Sequence, residues 1–119
     1  MSLRQPPLAA VHEDAGAKTT EFGGWEMPVE FDSIRTEHRA VRESAGIFDV
    51  SHMSEIGVRG SDAEALLQRL TTNDVTALSP CDSQYSMITD DEGVIIDDTV
   101  VYRLPSETPE YLFVPNAGH

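Results

Sequence analysis

The sequence predicts an α+β fold: an antiparallel sheet with helices packed on it. Three observations predict it. Apolar residues recur at helical spacing only in the first part of the chain, up to Leu70. From Gln84 onward they recur at every second position, as strands require. The later strands are separated by short turns rather than by crossover helices, so neighbours must run antiparallel. The 119 residues set the scale of one domain.

Each element has a local cause. Pro6-Pro7 leads into a short helix over Leu8 to Ala15, which Gly16 ends. From Glu21 to Phe31, the spacing of Phe22, Trp25, Met27, Val29 and Phe31 around Gly23-Gly24 predicts short extended pieces about a turn. Asp32 or Ser33 caps a helix running to about Ala45, with Gly46 as its stop. Its Ile34, His38, Val41 and Ala45 are expected to face a core, and Arg35, Arg39, Arg42, Glu37 and Glu43 to face solvent. Ile47 to Val50 is expected to be a short buried segment. Ser54 to Arg59 alternates and predicts a strand. Ser61 and Glu64 form a capping box for a helix that turns Ala63, Leu66, Leu67 and Leu70 inward. Gln84 to Thr89 is a strand, Asp90 to Gly93 a tight hairpin turn, Ile95 to Arg103 a long β-branched strand, and Glu110 to Val114 a last strand. Asn116-Ala117-Gly118-His119 then resembles a helix N-cap with no helix after it, the pattern expected of a piece of something longer.

Composition narrows the function. With 39% hydrophobic and 24% charged residues, the chain is globular rather than disordered. The longest apolar run, Val94 to Ile96, is far too short to span a membrane, and the N-terminus lacks the apolar stretch of a secretory signal. A single cysteine, Cys81, excludes an intrachain disulfide. The net charge of −13 disfavours nucleic acid and anionic membranes as partners. Lys18 is the one lysine, and the acids recur from Glu13 to Glu110. Such a surface suits concentrated salt, where screening reaches only about 3 Å at 1 M. It predicts a halophilic cytoplasm, with an ordinary acidic protein as the alternative.

Candidate chemistry centres on Asp97-Asp98, inside the apolar run Val94 to Val101. Strand alternation puts one carboxylate on each face. If both faces are covered, one acid is buried and needs partners; if the strand lies at an edge, both are solvated. A buried acid can serve as acid, base or acceptor for an amine. His12, His38, His52 and His119 show no zinc spacing, and no metal site is expected. Asp90 to Gly93 is too short for a calcium loop. Ser51-His52 lacks a nucleophile elbow, and Asp82 beside Cys81 disfavours a thiolate. Met27, Met53, Met87, Trp25 and Tyr85 are core residues or the lining of a pocket for a flat ligand.

Several segments together resemble one family. They are Phe22-Gly23-Gly24-Trp25-Glu26-Met27-Pro28-Val29, Glu37-His38 with Ala40-Val41-Arg42, and Gly46-Ile47-Phe48-Asp49-Val50-Ser51-His52-Met53. Thr72-Asn73-Asp74-Val75, Gln84-Tyr85-Ser86-Met87 and Gly93 to Tyr102 continue in order. The chain resembles the N-terminal part of the aminomethyltransferases, the T-protein of the glycine cleavage system. The resemblance implies the N-terminal portion of that folate-binding fold, with residues 1–119 a single incomplete unit. It implies transfer of a one-carbon unit from an aminomethyl-lipoyl group on the H-protein to tetrahydrofolate, with release of ammonia. It implies that Asp98, thirteen residues after Tyr85, is the catalytic acid, with Asp97 in reserve. That carboxylate would hydrogen-bond the folate amine and stabilise the developing cation. Met53, Tyr85, Asp98 and Asn116 would line the folate site. Val94, Thr99 and Pro115 depart from the family's usual glycine, leucine and β-branched residue. Alternatives are a folate-binding or assembly module without turnover, and the folate domain of a sarcosine- or dimethylglycine-type oxidase. As a fragment the chain is expected to be inactive, and to self-associate through uncovered apolar surface.

Overall fold

The computed structural model describes residues 2–118, in two compact units. The first comprises residues 2–52 and Gly118, the second residues 53–117.

In the first unit, helix α1 (Ala9–Asp14) is followed by Gly16 at φ +77°. Strands β1 (Lys18–Phe22) and β2 (Trp25–Glu30) pair antiparallel, with Phe22 opposite Trp25. Gly23 and Gly24 are therefore a two-residue hairpin loop, and both have positive φ (57° and 84°), as the tight hairpin turn requires. Helix α2 (Ile34–Glu43) starts at Ser33, whose hydroxyl accepts from the Thr36 amide at 3.2 Å. Glu37 turns back to accept from the Phe31 and Asp32 amides.

Two expectations fail here. No residue of α2 is buried: Ile34 is 62% and Val41 42% exposed, and His38 and Ala45 are also exposed. The segment after α2 is not buried either, with Ile47 99% and Phe48 70% exposed. The reason is size. A two-stranded hairpin and two short helices offer too little apolar surface to cover a second amphipathic face. Met27 is this unit's buried hydrophobic side chain.

The second unit holds a four-stranded antiparallel sheet in the order β3-β6-β5-β4. Its strands are β3 (Ile56–Arg59), β4 (Ser83–Thr89), β5 (Ile95–Arg103) and β6 (Glu110–Pro115). Helix α3 (Ala63–Leu70) and a 3-10 turn (Val75–Ala77) supply the rest of its core. Ala63, Leu67, Val75, Leu78, Val101 and Tyr111 form that core, with Val58 and Phe113 packed against it.

Helix α3 departs from expectation twice. Leu66 and Leu70 are exposed, so only Ala63 and Leu67 of the four point inward. The capping box is absent: Asp62 occupies the N-cap and makes no side-chain cap bond. Glu64 instead accepts from the Tyr111 hydroxyl at 2.9 Å and lies 3.6 Å from Arg103 Nη1. Arg103 donates to the Leu78 carbonyl at 2.6 Å. A buried phenol that needs an acceptor outweighs one helix-terminal amide that water can satisfy.

Candidate functional site

Strand β5 is central, between β4 and β6. Alternation along it places Asp97, Thr99 and Val101 on the face that packs the core, at 7%, 3% and 0% exposure. Asp98, Val100 and Tyr102 occupy the other face. Directly paired residues share a face, so Tyr85 and Met87 of β4 lie beside Val100 and Asp98. The strand is not an edge strand, and the two acids are not both solvated.

The register between β4 and β5 shifts by one between Ile88 and Thr89. That bulge sets Met87 opposite Asp98 and leaves Tyr85 on the adjacent diagonal, within reach of a long side chain. The Tyr85 hydroxyl donates to Asp98 Oδ2 at 2.7 Å. This hydrogen bond, then partial desolvation and the charges of Asp98 and Asp97, hold the phenol above the ordinary tyrosine pKa. Tyr85 is therefore a protonated donor at neutral pH.

Asn116 completes the cluster. It follows Pro115, the last residue of β6, which is paired with Thr99. Its backbone N–H donates to Asp97 Oδ2 at 2.8 Å. Its side-chain amide donates to Asp97 Oδ1 at 2.9 Å, Asp98 Oδ1 at 3.0 Å and the Asp98 carbonyl at 3.2 Å. The structure thus brings together Tyr85, Asp97, Asp98 and Asn116. Met53 lies half-buried upstream of β3, toward the same end of the sheet as Asn116, and makes no hydrogen bond to the cluster.

Further residues position the cluster, none of them assigned a role from the sequence. Thr72 brackets β4: its amide donates to the Met87 carbonyl and its hydroxyl accepts from the Met87 amide. The Asn73 side chain donates to the Tyr85 carbonyl, and its amide donates to the buried Ser86 hydroxyl. In the sequence they were visible only within the strings Thr72-Asn73-Asp74-Val75 and Gln84-Tyr85-Ser86-Met87 that carry the family resemblance.

A second polar group lies in the first unit. Buried His12 Nε2 stands 3.1 Å from Asp49 Oδ2. Burial opposes the ionised Asp49 carboxylate, but hydrogen bonds from Ser51 and electrostatic attraction to the His12 and His52 side chains prevail and lower its pKa. Phe22 packs edge-on to His52. Among the described residues no three His, Cys, Asp or Glu side chains are arranged to hold a metal ion. His119 lies outside them. Among them too, no helix is long and apolar enough to cross a membrane.

The family model described as GCVT N-terminal domain matches residues 8–119. This chain belongs to the GCVT N-terminal domain family. Curated relatives of this GCVT domain include probable aminomethyltransferases of Natronomonas pharaonis, 71% identical over 119 residues, and Halobacterium salinarum, 68% identical over 120 residues. Each alignment covers 100% of this chain and 33% of the relative. The aminomethyltransferase of Geobacillus kaustophilus is 50% identical over 98% of the chain. The crystal structure of glycine cleavage system aminomethyltransferase T from Bartonella henselae superposes with a TM-score of 0.91 at 38% identity, covering 98% of this chain and 32% of that one. The GCVT chain thus spans about a third of the length of these relatives, and several of them are from halophilic archaea.

Within this GCVT domain, Thr99 and Pro115 are register partners. Proline cannot donate to the ladder. The Thr99 hydroxyl accepts from the neighbouring Val114 amide at 3.1 Å, so the strand end stays pinned beside Asn116.

Proposed function

We propose that this chain is the folate-facing part of an aminomethyltransferase of the glycine cleavage system. Tetrahydrofolate is its one-carbon acceptor, a lipoylated H-protein the donor and ammonia the released product. The observation that carries this reading is Asp98 on the sheet face opposite α3, with one carboxylate oxygen held by Tyr85 and the other by Asn116. Each carboxylate oxygen has a second lone pair. One of these can accept from an amine of the folate, orient it, and stabilise positive charge at the transferred carbon. Met53, Tyr85 and Asn116 line the site around Asp98. The chemistry of Asp98 in this reading is that of an oriented acceptor.

Folate is itself anionic and the chain carries −13, so binding is strongest where long-range repulsion is screened. The work belongs in a salt-rich cytoplasm. Turnover draws on more of the relatives' length than these residues supply, whereas acceptor binding draws on Asp98.

Calorimetric titration with tetrahydrofolate at about 1 M salt tests this. The chain as it stands is expected to bind, and Asp98→Asn to weaken binding about tenfold or more, the loss of one charge-assisted hydrogen bond. Equal affinity of the two proteins would sink the assignment of Asp98. No heat with the unaltered chain would sink the proposal that these residues hold the folate.

A further inference from the structure

We propose that Asp97 is a positioning residue: its buried carboxylate anchors Asn116, and Asn116 in turn fixes the orientation of the Asp98 carboxylate. What that orientation serves rests on the folate-facing role of Asp98; the mechanical link does not.

The two neighbouring acids cannot share a task. Alternation sends them to opposite faces, and Asp97 is 7% exposed on the packed one. Burying a carboxylate is costly unless donors surround it. Its donors include the Asn116 amide on Oδ2, and the Asn116 side chain and the Asp98 amide on Oδ1. Asn116 donates from both backbone and side chain, so the carboxylate grips that residue at two points together. Asn116 is thereby held where the β6 ladder ends and no strand pairing would otherwise fix it.

The amide of Asn116 carries two hydrogens and faces three acceptors, one on Asp97 and two on Asp98. With acceptors on every side, the nitrogen rather than the oxygen must point inward. The same amide therefore touches both carboxylates and is the link between the packed and open faces. Asp98 is clasped at both ends, by Asn116 on Oδ1 and Tyr85 on Oδ2. Loss of the Asn116 link leaves only the Tyr85 contact, and a carboxylate held at one oxygen can swing about its side-chain torsions.

Two measurements test the link, one without folate. Three-bond couplings from the Asp98 carboxyl carbon to its backbone nitrogen and carbonyl report its χ1 populations by NMR. The unaltered chain is expected to show one rotamer, and Asn116→Ala and Asp97→Asn to show averaging. Asp97→Asn keeps the size of the side chain but turns one acceptor into a donor, so it remains usable if Asp97→Ala does not fold. A single Asp98 rotamer in all these proteins would overturn the proposal. The second measurement is tetrahydrofolate affinity. Asp97→Asn and Asn116→Ala are each expected to weaken it about tenfold. The double variant is expected to be no weaker than the worse single, because both act through one link. Losses that multiply would overturn the proposal by showing independent roles. Failure of the unaltered chain to bind folate would remove the proposed function, while the rotamer result would still decide the role of Asp97.

Discussion

At the scale of the residue, Tyr111 shows how one side chain gathers several elements. Its ring is fully buried, its hydroxyl reaches Glu64 on α3, and the Arg103 guanidinium lies 5.8 Å from its ring centre. Tyr111→Phe is expected to cost about 1 kcal/mol, the net worth of one hydrogen bond, because Glu64 is exposed enough to be rehydrated. Urea unfolding at neutral pH measures this. Burial first, then the Glu64 hydrogen bond, raises the Tyr111 phenol above its ordinary pKa. A group whose folded pKa is raised contributes stability below its unfolded pKa of about 10 and loses it as pH rises through the folded value. Stability should therefore fall above about pH 10, and less steeply in Tyr111→Phe; identical alkaline limbs for the two proteins would refute this. Little of this was legible in the sequence. Glu64 fits a capping box by spacing, and only the tertiary fold shows that a buried phenol claims it instead. Asp98, Tyr85 and Asn116, which the fold brings together, were legible as candidates through the family resemblance. Which acid shares a face with Tyr85 was not.

That choice is made at the scale of the element. The turn at Asp90 to Gly93 pairs Thr89 with Ile95; an unbroken ladder from there would set Met87 opposite Asp97. The bulge after Ile88 sets Met87 opposite Asp98 instead and exchanges the faces of the two acids. A bulge depends on how both strands pack, so no local pattern in β4 or β5 announces it. The strands of the second unit, the turn at Gly23-Gly24 and the start of α2 were legible because propensity and tertiary structure agree there. Helix α2 is the opposite case. Its amphipathic pattern is plain, yet its apolar positions are exposed, because pattern states what a face could bury and not whether anything is there to cover it. Its stability then leans on local interactions. Ser33→Ala removes the bond to the Thr36 amide and should destabilise the helix by about 1 kcal/mol. Amide exchange in the first turn of α2 is the measurement, and unchanged protection there would refute the role of Ser33 and leave the Glu30 bond to the Ile34 amide as the cap.

At the scale of the whole molecule, the charge of −13 is the dominant property. Self-repulsion opposes the compact state at low ionic strength and is screened within about 3 Å at 1 M. The melting temperature should rise as salt increases to the molar range, and a flat profile would contradict the halophilic reading. The order β3-β6-β5-β4 has a further consequence, one of timing. Strand β3 is the first of its sheet in the sequence but pairs with the last, so Ile56 must wait for Phe113, 57 residues later. Hairpin β4-β5 can close on its own, since its strands are joined by a short turn. Asp98 and Tyr85 can then meet early, while the sheet edge at β3 and the Asn116 link come only with the final strand. Closing that long loop is the slow, non-local step. During synthesis the cluster is half-built until the ribosome has released residue 116, and a polypeptide cut short before β6 would keep the acids and lose the hand that holds them.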